Sequence, residues 1–234
     1  MLLEVIVQSV DDARAAEAGG ADRLEVVREI ERDGLSPSVD LVRAIRAATS
    51  LPLRVMVRES DGFSVGSDDE RETLKEAFAA FAALRVDGAV VGFTRDGALD
   101  VDSMQQVMSA APGLAVTLHR AFDHVHDRLA AIDSARMLPQ VDRILTDGGG
   151  GDWSLRCERL RQYAGRAGDR LKILAGGGVD EAALRRLASA RVVSEVHVGR
   201  AARDPQVATA PVSAARVAHL RTILMSPGSD VNRA

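Results

Sequence analysis

Eight times along this chain a short run rich in valine, isoleucine and leucine is followed by a segment whose apolar residues recur three and four apart. The strand candidates are 2–7, 23–27, 53–58, 88–94, 115–120, 141–146, 171–175 and 194–198. The helix candidates are 11–18, 38–48, 68–85, 101–111, 127–137, 153–167, 181–190 and 207–224. The strand candidates are bounded by Gly, Asp or Pro, as parallel strands buried on both faces should be. Eight such alternations, with no long antiparallel section, predict a single α/β domain closed as a (β/α)8 TIM-type barrel. An open doubly wound sheet shares the periodicity and is the alternative. No linker divides the 234 residues, so the expectation is one barrel over 1–225 and a flexible C-terminal tail over 226–234.

Local signals place several helix starts. Ser67-Asp68-Asp69-Glu70 reads as a capping box. Ser36-Pro37 puts a cap residue before a proline at the first helical position. Asp152 and Asp180 read as caps as well, and Phe78, Phe81 and Leu84 as packing residues of the third helix.

Charge and cysteine content narrow the function classes. The net charge is −4 and no lysine-arginine run stands out, which argues against a nucleic-acid partner. No apolar run approaches the ~20 residues that a membrane span needs. A single cysteine, Cys157, excludes an intramolecular disulfide. The chain begins as a strand rather than a leader, so a cytoplasmic protein is expected.

Two glycine turns late in the repeat suggest an anion site. Leu174-Ala175-Gly176-Gly177-Gly178-Val179 and Glu195-Val196-His197-Val198-Gly199-Arg200-Ala201 each read as a strand ending in a turn. Neighbouring turns after the last two strands are the usual phosphate cradle of such a barrel. Glycine lets the backbone approach an anion, and N–H groups at a helix start face it. Gly177, Gly178, Gly199 and Arg200 are therefore the candidate anion-binding residues.

Alternation along the strands separates helix-facing from interior positions. Val116 and Leu118 face the helices, so Thr117 and His119 face inward; the same parity turns Glu4, Glu25, Arg58 and His197 inward, with Arg54 and Glu195 deeper. Buried charges must pair with one another, meet water or meet a ligand. Arg58, His119 and His197 lie near the C-terminal strand ends, where barrel active sites sit. His119, His197, Glu25 and Arg58 are therefore the candidate catalytic residues, with a structural ion network as the alternative. Arg120 is a candidate anion clamp, or else a tie to Asp123.

Several segments resemble a known family. Ala21-Asp22-Arg23-Leu24-Glu25-Val26, Gly34-Leu35-Ser36-Pro37-Ser38, Leu118-His119-Arg120-Ala121-Phe122-Asp123, Arg143-Ile144-Leu145-Thr146, the Ala-Gly-Gly-Gly-Val run and Glu195-Val196-His197 are similar, in order over roughly 2–203, to the CutC family, named for copper homeostasis. The resemblance implies a (β/α)8-type barrel, a cytoplasmic and commonly homo-oligomeric protein, and copper as a ligand or cofactor. The chain departs from the family pattern in three places, one being Thr146-Asp147-Gly148 where the family has T-S-G. Arg58-Glu59-Ser60-Asp61-Gly62-Phe63 lacks the second arginine of the family's R-P-R-G-G-D-F. Ile6, Val7 and Val27 stand near where some members carry cysteine.

The residues themselves supply few soft copper ligands. Cu(I) prefers thiolate and thioether, while imidazole binds either oxidation state. Cys157 falls in a helix pattern, the six methionines are scattered, and His124-x-His126 reads as a solvated loop pair. His119 and His197, with Glu25, are the candidate metal ligands. Schiff-base chemistry is excluded by position: Lys75 falls on a helix and Lys172 at the start of a strand. The residue reading is therefore acid–base chemistry on a phosphorylated or carboxylated small metabolite, by a lyase, isomerase or epimerase. The resemblance reading is copper binding.

Overall fold

The computed structural model describes residues 1–225, so the tail expected over 226–234 lies outside the described residues. In chain order the elements are β1 (Leu2–Val7), α1 (Val10–Ala18), β2 (Arg23–Val26), α2 (Val39–Ala48), β3 (Leu53–Met56), α3 (Asp68–Ala83), β4 (Gly88–Val91), β5 (Thr94–Arg95), β6 (Ala98–Leu99), α4 (Val101–Met108), β7 (Val116–Leu118), α5 (Arg128–Arg136), β8 (Val141–Thr146), α6 (Trp153–Ala167), β9 (Lys172–Ala175), α7 (Glu181–Ala190), β10 (Glu195–Val198) and α8 (Ala214–Met225). Strands β1, β2, β3, β4, β7, β8, β9 and β10 close a parallel barrel in that order, with β10 returning to β1. Strands β5 and β6 form a separate antiparallel ribbon after β4. Closure settles the choice between barrel and open sheet.

The period-2 pattern works as expected. Leu3, Val5, Leu24, Val26, Val55, Val91, Val116, Leu118, Val196 and Val198 turn outward into one apolar layer under the helices. Fully burying such a side chain is worth roughly 1.5–3 kcal/mol. Phe78 and Phe81 are fully buried in that layer. Among the described residues no helix is long and apolar enough to cross a membrane.

Helix starts mostly follow the sequence, with informative exceptions. Asp152 and Asp180 accept backbone N–H bonds at the starts of α6 and α7. Ser67 caps α3, but Glu70 reaches back to Gly66 N (2.7 Å) and Ser60 Oγ (2.6 Å) instead of closing the box on Ser67. The cap of α2 is Ser38, not Ser36. Ser36 instead accepts from Arg58 N (2.9 Å) and donates to Arg58 O (3.1 Å), binding its loop to the end of β3.

The eighth helix begins at Ala214 rather than 207. Pro211 has no N–H to give a helix and disfavours helical backbone before it, so the helix starts after Ser213. Residues 203–213 run over the C-terminal end of the barrel instead, with Arg203 bridged to Val212. Buried Asp12 fixes this segment, accepting from Val212 N (2.9 Å) and Arg203 Nη1 (3.4 Å).

Candidate functional site

The floor of the barrel is an ion network. Arg54 binds Asp142 through both terminal nitrogens (3.1 and 2.7 Å). Asp142 also accepts from Arg143 (3.1 Å), Arg143 donates to Glu195 (3.2 Å), and Glu195 accepts from Arg23 (2.7 Å). Arg23 then donates its Nε–H to Glu4. Gly88 makes room for this chain, because a Cβ there would fall inside the Arg54 guanidinium.

Above the floor Glu4 meets His197, with Nδ1 2.7 Å from Oε1. Glu25 Oε2 lies 3.5 Å from the same Nδ1 and has no hydrogen-bond partner, although it is buried. Burial pushes the Glu25 carboxyl up to about 7, and the neighbouring Glu4 charge adds to it. Burial would raise Glu4 too, but Arg23 and then His197 outweigh it and hold Glu4 far below the ordinary carboxylate range. Burial would depress His197, yet Glu25 and Glu4 outweigh it and hold its pKa above the ordinary value. Glu25 and His197 thus face each other with Glu25 shifted toward its protonated form and His197 toward its charged form.

His119 is held differently. It caps the 3-10 turn Arg120–His124, and its Nδ1 accepts from Ala121 N at 3.0 Å. A backbone N–H can only donate, so Nδ1 carries no proton and the neutral ring carries it on Nε2. That Nε2 is buried and unpartnered. Burial, with Arg58 adding its charge, pushes the His119 pKa down to about 3. At neutral pH His119 is therefore an uncharged N–H donor.

These groups open on one cavity of about 520 Å³ at the C-terminal end of the barrel. Ile6, Val27, Ile30 and Met56 form its apolar wall. All the sequence-nominated residues line it: Glu25, Arg58, His119, Arg120, Gly177, Gly178, His197, Gly199 and Arg200. Their states differ. Arg58 donates to the carbonyls of Ser60, Gly62, Asp33, Gly34 and Arg32, all between 3.1 and 3.2 Å, leaving one Nη2 proton. It locks two loops together and is not a free anion clamp.

Arg120 is engaged by Asp123 (3.0 Å) and Asp147 (3.3 Å). Asp123 in turn accepts from Thr146 Oγ1 and Asp147 N (3.1 Å), so it braces the loop. Arg200 is exposed and has no ion pair among the described residues. Gly177 and Gly178 have φ of 72° and 87°, the left-handed region that favours glycine. Their N–H groups find no acceptor among the described residues. Gly199 precedes the short 3-10 turn Arg200–Ala202, which has no side-chain cap.

Metal-ligand geometry selects a different set from the two histidines. Among the described residues, ligand atoms of Glu4, Glu25 and His197 lie within 4.8 Å of one another, and His119 is outside that set. Two carboxylates and an imidazole suit a divalent ion, Cu(II) included, and do not suit Cu(I). Met56 is the one thioether on the cavity wall among the described residues, and Cys157 sits on α6 beside Ser154 and Arg161.

Arg23, Gln206 and Ala208 escaped the sequence reading. Arg23 shares the parity of Glu25 but stands at the strand start, where it reads as a boundary residue. Gln206 and Ala208 line the cavity from the segment read as helix.

The family model of the CutC family matches residues 1–202. A Homo sapiens protein named copper homeostasis protein cutC homolog is 33% identical over 205 residues, covering 87% of this chain and 75% of its own. A family protein CutC of Bacteroides fragilis is 36% identical over 198 residues, covering 84% and 78%. A crystal structure of CutC from Streptococcus agalactiae superimposes with a TM-score of 0.77 at 22% identity, covering 84% of this chain and 97% of that one.

Proposed function

The chain belongs to the CutC family, and from that premise we propose that its barrel serves a copper-homeostasis-type role through a pocket that binds a small anionic metabolite and works on it by acid–base chemistry. One observation carries this reading. Two buried polar groups, Glu25 Oε2 and His119 Nε2, have no hydrogen-bond partner among the described residues and belong to residues lining one cavity. An unpaired buried polar group is costly, of order 1–3 kcal/mol, and such groups cluster where a ligand completes them. Glu25 and His197 supply the proton-transfer pair. Gly177, Gly178, Gly199 and Arg200 supply the anion site, with Arg200 the arginine left uncommitted. The reaction class is lyase, isomerase or epimerase. A cytoplasmic homo-oligomer is the assembly we assign.

Inorganic phosphate tests the anion site by calorimetry. Wild type is expected to bind it, and Arg200→Ala to weaken binding about tenfold with stability unchanged within about 0.5 kcal/mol. Equal affinity in the two proteins would remove Arg200 from the site. No binding to either would remove the site.

Copper binding is a second reading, favoured by the Glu4, Glu25 and His197 cluster. A metal there would be held by those three side chains and would act as a Lewis acid or as cargo. An anaerobic Cu(I) competition against a chelator is expected to leave the copper with the chelator, since the donors are hard. Tight binding of one Cu(I) per chain would make copper the ligand.

A further inference from the structure

The unspent proton of His119 narrows the chemistry of the ligand. His119 and Glu25 reach the cavity from β7 and β2, separated round the barrel by β3 and β4. One presents an uncharged N–H donor and the other an unpartnered carboxylate oxygen, and both atoms are buried. A donor and a base placed across one small cavity are the two groups needed to take a proton from carbon beside a carbonyl. The donor stabilises the charge that builds on oxygen, and the base receives the proton.

A neutral imidazole suits the donor task because it holds its proton while sharing it. Resting on the anionic-ligand reading above, we propose that the pocket takes a phosphorylated or carboxylated compound bearing a carbonyl next to an ionisable C–H. The carbonyl oxygen accepts from His119 Nε2–H, and Glu25 Oε2 takes the proton. The C–H bond breaks and an O–H bond forms on Glu25. The electron pair makes the C=C bond of an enolate, whose oxygen stays hydrogen-bonded to His119. Return of the proton to the same carbon gives an epimer or exchange; where that carbon bears a hydroxyl, its O–H proton passes to the former carbonyl oxygen as the proton returns to the former carbonyl carbon, and the isomer with the carbonyl shifted results. No outside oxidant or reductant enters the balance.

His197 keeps a supporting place. Its hydrogen bond to Glu4 fixes the ring beside Glu25, 3.5 Å from Oε2. Arg58 and Arg120 stay outside the step, because loop carbonyls hold the first and Asp123 and Asp147 the second.

Two probes separate this inference from the anion site itself. Glycerol 3-phosphate carries the phosphate with no carbonyl or carboxylate oxygen, and phosphoglycolohydroxamate adds a planar enolate-like oxygen. Wild type is expected to hold the hydroxamate about 100-fold more tightly, as sites built for such a species do. His119→Asn retains an acceptor for Ala121 N but loses the Nε2 donor, and is expected to bind the two probes equally. His119→Gln restores a donor near Nε2 at some cost in stability, and is expected to recover about a tenfold preference. In ¹⁵N-labelled protein His119 should remain the neutral Nε2–H form from pH 8 to about 5. Equal binding of the probes by wild type, or a His119 that gains a proton above about pH 5, overturns this inference and leaves the anion site standing. If neither probe binds, the anion site falls, and this inference with it.

Discussion

At the floor of the barrel Arg54, Asp142, Arg143, Glu195, Arg23 and Glu4 are joined ion to ion, whereas at the mouth Glu25 Oε2 and His119 Nε2 have no hydrogen-bond partner among the described residues. Both regions hold buried ionisable groups on inward-facing strand positions. Arg54 Nε and the Thr117 hydroxyl are the floor's exceptions to full pairing. The contrast separates two uses of buried charge: ions that satisfy one another hold the barrel, and groups that do not are kept for a ligand. Substitutions should therefore affect stability at the floor and ligand binding at the mouth.

Glu4→Gln gives the largest expected loss. It removes the buried charge between Arg23 Nε and His197, leaving Glu195 as Arg23's carboxylate, and should cost about 3–5 kcal/mol in chemical denaturation. A loss below about 1 kcal/mol would break the comparison at the floor. Gly177→Ala comes next, a mouth position whose cost comes from backbone geometry and not from an unpaired charge. A side chain there adopts a left-handed backbone and meets Asp147 Cβ at 2.5 Å, so about 2 kcal/mol or more should be lost. Thermal unfolding reads it directly.

The acid limb of the stability curve sharpens the comparison at the mouth. His119 has a depressed pKa, so the unfolded chain binds the proton more readily from about 6.5 down to about 3. Stability is lost as pH falls through that window, by up to about 1.4 kcal/mol per pH unit. His119→Asn should remove that slope while leaving stability near pH 8 within about 1 kcal/mol of wild type. Denaturation at several pH values decides it, and an unchanged slope would show that His119 is not held neutral.

Much of this division was legible in the sequence. Strand parity placed Glu4, Glu25, His119 and His197 inside, because a period of two leaves each residue only one face to occupy. The glycine turns located the mouth for the same local reason. What parity could not supply was the partner of each charge. Arg58 shares the parity of Arg54, yet its donors are spent on loop carbonyls whose positions depend on the path of residues 28–36 and 58–63. The tautomer of His119 follows from a turn after β7 that has no periodic signature. The late start of α8 was readable at Pro211, but the apolar spacing around it masked the break.

The most direct test of the account is the titration of Glu25 itself, by carbon-detected NMR of protein labelled at the glutamate side-chain carboxyl, with Glu25→Gln for assignment. Glu25 has a raised pKa, so the folded protein binds its proton more readily between about 4.5 and 7, and stability from this group falls as pH rises through that range. The account predicts a Glu25 midpoint near 7, and in Glu25→Gln the loss of that part of the decline in stability. A Glu25 midpoint in the ordinary carboxylate range, with the pH dependence of stability unchanged in Glu25→Gln, would show the carboxylate to be paired like those of the floor and would contradict the claim that it is kept for a ligand.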